Sequence, residues 1–122
     1  MTAVATLEAR LRAPAQSGRP GLVAYLTGGW PDRAGFADLL YRVSCEVDAV
    51  EIGVPFSDPM ADGPTIQRTS HEALAGGVTL DWIFQTLTEM NPKPACPVLL
   101  MSYLNPLLSN GLERLASRAS AA

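Results

Sequence analysis

Three carboxylates are gathered in the stretch VEIGVPFSDPMADGPTIQ, residues 50–67. Val50, Ile52 and Val54 are apolar and read as a strand, yet Glu51 sits inside it. Asp58 and Asp62 follow in a turn-rich loop. In parallel α/β folds, ligands meet the carboxyl ends of the strands, and Glu51 lies close to such an end. Pro55, Pro59, Gly63 and Pro64 make the loop folded rather than extended, so Asp62 can return over the strand. Two carboxylates would then face one pocket. Desolvation and a like charge both favour the protonated form, which is the tuning a general acid or base needs near neutral pH. Other readings fit the same residues. Glu51 can point outward at a sheet edge or pair with a buried arginine. Ser57, Asp58 and Asp62 offer hard oxygens to a divalent cation, but their spacing is not that of an EF-hand loop and no histidine assists.

The elements that must position these acids alternate along the chain. Residues 4–12 repeat Val4, Leu7 and Leu11 at helical spacing, and Pro14, Gly18 and Pro20 are expected to break that helix over 13–21. A short apolar run, 22–26, reads as a strand. Asp32 can cap a helix whose buried face carries Phe36, Leu39, Leu40 and Val43. A second strand spans 48–54. Pro64 suits the first turn of the next helix, which Gly76 and Gly77 end. A further helix spans 79–90, opened by Thr79 or Asp81. A third strand spans 98–104, and another helix begins after it. Strands alternating with helices predict βαβ units and a parallel sheet. The strands are near-continuous apolar runs, as covered faces require. The turn LTGGWPD is not G-x-G-x-x-G, so a dinucleotide site is disfavoured.

Bulk properties narrow the class. With net charge −3 and no basic run, the electrostatic footprint of a nucleic-acid binder is missing. No apolar run reaches membrane-span length, and the first twenty residues do not read as a signal peptide, so a cytoplasmic protein is expected. Cys45 and Cys96 are far apart, outside any CxxC, and read as buried free thiols rather than zinc ligands. His71 reads as a surface or packed histidine.

The central stretch resembles the signature of the tryptophan synthase α chain family. AYLTGGWPD, ALAGGVTLDWIF and VLLMSYLNPLLSNGLERL resemble further segments of it, so the similarity runs from about Leu22 to Leu115. The resemblance implies a parallel (β/α)8 TIM barrel, of which residues 1–122 would be the first three β/α units of a single, incomplete domain. It implies a carbon–carbon lyase of tryptophan biosynthesis, cleaving indole-3-glycerol phosphate by a retro-aldol step to indole and glyceraldehyde 3-phosphate. Glu51 would be the general acid/base, and Asp62 would face the indole N–H. Tyr25, Met101 and Tyr103 would line the substrate pocket. Pro55, Asp58 and Asn105 would lie on the surface that meets the β subunit of an α2β2 tetramer. No cofactor is implied for this half-reaction, since pyridoxal phosphate belongs to the β subunit. The competing expectation is a non-catalytic chain that binds the β subunit.

Two residues depart from the family pattern. Glu46 stands where Gly is usual at the end of the first barrel helix, so that helix is expected to end differently or under slight strain. Trp30 stands where Asp is common and would put a large ring beside the pocket mouth. A complete barrel needs about 250 residues. The sheet formed here is therefore expected to be open at both edges, and the chain alone to show little or no turnover without the later phosphate-binding loops.

Overall fold

The computed structural model describes residues 2–122. Thr2 caps helix α1, Ala3–Gln16, by accepting from the Ala5 N–H. Strand β1, Val23–Thr27, leads to α2, Arg33–Ser44, whose cap Asp32 accepts from the Gly35 N–H at 2.8 Å. Strand β2, Ala49–Gly53, is followed by α3, Pro64–Ala75, with proline at its first position. Helix α4, Leu80–Glu89, opens on Thr79, whose hydroxyl accepts from the Trp82 N–H. Strand β3, Val98–Met101, then runs into α5, Leu104–Asn110, and α6, Leu112–Ala121.

The strands form one parallel sheet in the order β1-β2-β3. It is an open partial (β/α)8 arrangement with flanking helices. Because side chains alternate along a strand, the register decides what each face carries. Ala24, Leu26, Val50, Ile52, Val98 and Leu100 face the helices and pack with Phe36, Leu40, Ile83 and Phe84. Val50, Ile52, Phe36, Leu40 and Ile83 are fully buried. Each large apolar side chain so buried contributes about 1.5–3 kcal/mol. The opposite face carries the rows Tyr25–Glu51–Leu99 and Thr27–Gly53–Met101.

Three local expectations are corrected. Helix α1 does not stop before Pro14 but runs through it to Gln16. Pro14 is buried in the last turn, where packing offsets its missing N–H, and its carbonyl accepts from Ser17 and Arg19. Strand β3 ends at Met101 rather than residue 104. Its last ladder bond is Val54 N–H to the Met101 carbonyl, and the chain turns at once into α5, so Tyr103 occupies the N-cap position and Asn105 the first helical turn. Of the two outcomes expected at Glu46, a different helix end or slight strain, the structure shows the first. Helix α2 ends early, Cys45 stays in the right-handed region, and among the described residues only glycines have positive φ. Cys45 is exposed, not buried. Ser44, which hydropathy does not mark, is fully buried. Its hydroxyl donates to the Tyr41 carbonyl and accepts from the Ala95 N–H, tying α2 to the approach of β3.

A buried acid anchors the entrance to β1 and β2. Asp48 is 5% exposed and accepts from Arg19 at 2.9 and 3.0 Å and from the Leu22 N–H at 2.8 Å. The Arg19 hydrogen bond, with the Leu22 amide, holds its carboxyl down from the ordinary 3.8 to about 2. A carboxyl depressed in the folded state adds stability above its unfolded value, and that stability is lost as pH falls through the folded value. Asp81, bonded to Arg118 on α6, and Glu72, bonded to Trp30, are shifted in the same direction. The urea midpoint is therefore expected to fall as pH drops from about 4 toward about 2. Asp48→Asn should lower the midpoint at pH 7 and make its fall with acid shallower. An unchanged acid slope in that variant would refute the role given to this pair.

Candidate active site

Burial and a glycine set the floor of the site. Tyr25 and Glu51 are register neighbours on the face opposite the helices. The Tyr25 ring leans across onto β2, where Gly53 leaves it room. A Cβ at Gly53 would fall 1.9 Å from the Tyr25 hydroxyl and 2.5 Å from its ring carbon. Thr27 Oγ1 lies 3.5 Å from that hydroxyl and 2.7 Å from Thr69 Oγ1, so β1 is tied to α3 by a buried hydroxyl pair. Burial pushes the Tyr25 phenol above its ordinary 10.0. The Thr27 contact opposes this, while the charges of Asp62, Tyr103 and Glu51 add to it. Both acids thus lie within electrostatic reach of one phenol.

The loop after β2 folds back. Val54 and Pro55 are buried, and the Phe56 N–H donates to Ser70 Oγ on α3. The Met60 N–H bonds the Asp58 carbonyl, and the Asp62 N–H bonds the Pro59 carbonyl, closing successive turns. Gln67 Nε2 donates to the Asp62 carbonyl at 2.8 Å, fastening the loop to the start of α3. From the end of β3, the Tyr103 hydroxyl accepts from the Ala61 N–H at 2.9 Å and donates to Asp62 Oδ2 at 3.0 Å. The Tyr103 ring packs against Phe56 with centroids 5.2 Å apart.

These contacts enclose a cavity of about 220 Å³ walled by Tyr25, Val54, Phe56, Asp62, Met101 and Tyr103. The structure thus gathers four of the expected site residues, Tyr25, Asp62, Met101 and Tyr103, around one space. Glu51 is not on that wall. It is half-buried one row deeper on the same sheet face, beside Tyr25. Asp58 and Asn105 are exposed, whereas Pro55 is buried. Asp58 lies with Met60, Gln67 and His71 along a second hollow of about 390 Å³ on the outer side of the loop. Trp30 does not reach the inner cavity wall. Its ring N–H donates to Glu72 Oε2 on α3 at 2.7 Å. Hydropathy overlooks Phe56 and the Thr27–Thr69 pair. The usable signals were an aromatic flanked by prolines and a glycine closing β2 opposite a tyrosine.

A larger apolar cavity, about 590 Å³, lies on the helix side between α4, β3 and α6. Among the described residues, its titratable side chains are Cys96, whose thiol burial pushes up, and Lys93, whose amine donates to the Leu87 and Thr88 carbonyls at the end of α4. It offers no acid or base poised for proton transfer. Among the described residues, no group of three or more His, Cys, Asp or Glu could hold a metal ion, and no helix is long and apolar enough to cross a membrane.

The family model described as the tryptophan synthase alpha chain matches residues 11–122. The chain belongs to the tryptophan synthase α chain family. It is 44% identical over 115 residues to the tryptophan synthase alpha chain of Desulfovibrio desulfuricans, covering 93% of this chain and 45% of that one. Its fold is similar to that of the α subunit from Legionella pneumophila, with a TM-score of 0.86 and 32% identity over 94% of this chain and 45% of that one. A chain of the α2β2 tryptophan synthase complex from Pyrococcus furiosus matches with a TM-score of 0.75 and 37% identity over 83% of this chain and 41% of that one. The chain thus spans less than half the length of the relatives it matches.

The floor yields a test. Gly53→Ala must displace the Tyr25 ring, and such overpacking is expected to cost about 1–3 kcal/mol by urea denaturation. In a Tyr25→Ala background the same change should cost much less. Equal losses in both backgrounds would show that the ring is not what fills the space over Gly53.

Proposed function

We propose that this chain carries the proton-transfer part of a tryptophan synthase α site, cleaving indole-3-glycerol phosphate to indole and glyceraldehyde 3-phosphate. The observation that carries the reading is the Asp62 carboxylate held against a small aromatic-walled cavity, on the same sheet face as Glu51. An indole ring suits walls of Phe56, Met101 and Tyr103, and its N–H would donate to Asp62. Protonation of indole C3 places positive charge on the ring nitrogen, which the Asp62 carboxylate stabilises. Glu51 supplies that proton and takes the proton of the glycerol hydroxyl next to the breaking bond. The hydroxyl's electron pair forms the aldehyde carbonyl, the carbon–carbon bond breaks, and its electrons return to the ring to restore indole.

None of these steps calls on a cofactor held by this chain. Pyridoxal phosphate would sit on a β-subunit partner, which would meet the outer side of the loop at Asp58 and the first turn of α5 at Asn105. Pro55, buried beneath that loop, would support this surface from below rather than touch the partner. Among the described residues, none on the inner cavity wall is cationic, so the phosphate of the substrate would lie outside it.

A second reading, a non-catalytic chain that docks on the β subunit, is favoured by the outer hollow and by Met60, which is 88% exposed at its rim. Indole release from indole-3-glycerol phosphate, assayed with β subunit present, separates the two. Glu51→Gln is expected to lower it about 10²–10⁴-fold, the usual contribution of general acid–base catalysis, with β-subunit association unchanged. Equal release by wild type and Glu51→Gln would overturn the catalytic assignment. Association without any release by wild type would favour the docking reading.

A further inference from the structure

Tyr103 stands at a junction that pocket lining does not explain. It follows the end of β3 and precedes α5, but its side chain caps neither. Its hydroxyl turns instead to the loop after β2 and makes two bonds there, accepting from the Ala61 N–H and donating to Asp62 Oδ2. The root of the side chain is fixed by the ladder bond between Val54 and Met101, and the ring by Phe56. Among the described residues, Tyr103 is the one donor to the Asp62 carboxylate.

We propose that Tyr103 is a positioning residue, whose hydroxyl sets the place and orientation of the Asp62 carboxylate for an incoming ring N–H. This deepens the reading of the cavity as an indole site and rests on it. With one acceptor position of Oδ2 engaged by the phenol, Oδ1 keeps its full capacity to accept from a ligand. The Ala61 bond fixes the backbone immediately before Asp62, so one hydroxyl constrains both the root and the tip of the acid. Without it, the carboxylate can swing toward water, and ordering it again falls on ligand binding. A tyrosine that merely walled the pocket would need only its ring.

Tyr103→Phe keeps the ring and removes the hydroxyl, so it separates these roles in the 122-residue chain. The readouts are amide exchange at Ala61, the Asp62 carboxyl carbon resonance (assigned by its loss in Asp62→Asn), and indole affinity by calorimetry. The variant is expected to speed Ala61 exchange about tenfold or more and to move the Asp62 resonance. Indole binding should weaken about five- to tenfold when Asp62 is present and less than about twofold in the Asp62→Asn background. Unchanged exchange and resonance in Tyr103→Phe would overturn the proposal, as would equal weakening of indole in both backgrounds. If the wild-type chain does not bind indole, the reading of the cavity falls, while the exchange and resonance still decide whether Tyr103 holds Asp62.

Discussion

The register of β2 between its two neighbours is the constraint on which the rest depends. Pairing Tyr25 with Glu51 and Glu51 with Leu99 sends the acid to the face away from the helices, while Val50 and Ile52 go into the core. A slip of one residue would exchange these sets, placing a carboxylate among Phe36, Leu40 and Ile83 and turning two fully buried aliphatic residues outward. The core and the direction of the acid are therefore specified by one alternation. The hydrophobic effect that assembles the sheet also aims Glu51, and no separate device is needed.

The second acid is placed differently. Asp62 belongs to no regular element, so neither periodicity nor register can aim it. It is held by a chain of local turns, by Gln67 at the head of α3, and by a phenol from the N-cap residue of α5. Glu51 is thus aimed by the sheet, and Asp62 by hydrogen bonds from its own loop, from α3 and from the residue preceding α5. The pair of buried Asp48 and exposed Arg19 serves the opposite end, where it seats the segment leading into β1 against the start of β2.

Much of this was legible in the sequence, for physical reasons that differ by residue. Asp32, Thr79 and Pro64 announce helix starts because their side chains or missing N–H suit those positions and few others. The buried strands announce themselves as apolar runs. Pro14 misled because a proline in a last turn sacrifices one bond that packing can offset, and sequence does not show the packing. The end of β3 misled because SYL continues the apolar pattern after the ladder has stopped; the turn is decided by pairing with Val54, remote in the chain. Glu46 pointed to a different helix end or to strain because its side chain disfavours a left-handed cap, and α2 indeed closes without one. The motif around Glu51 and Asp62 pointed to the acids but not to the means of holding Asp62, since its partner lies beyond two intervening helices.

The crossing of Tyr25 over Gly53 links two positions on different strands through a single shared volume. Neither can be altered in size independently. A bulkier residue at 53 becomes tolerable only after the aromatic at 25 has been trimmed, and trimming it first leaves a hollow beneath the cavity. Substitution histories at these two sites should therefore be correlated and ordered, with change at 25 preceding change at 53.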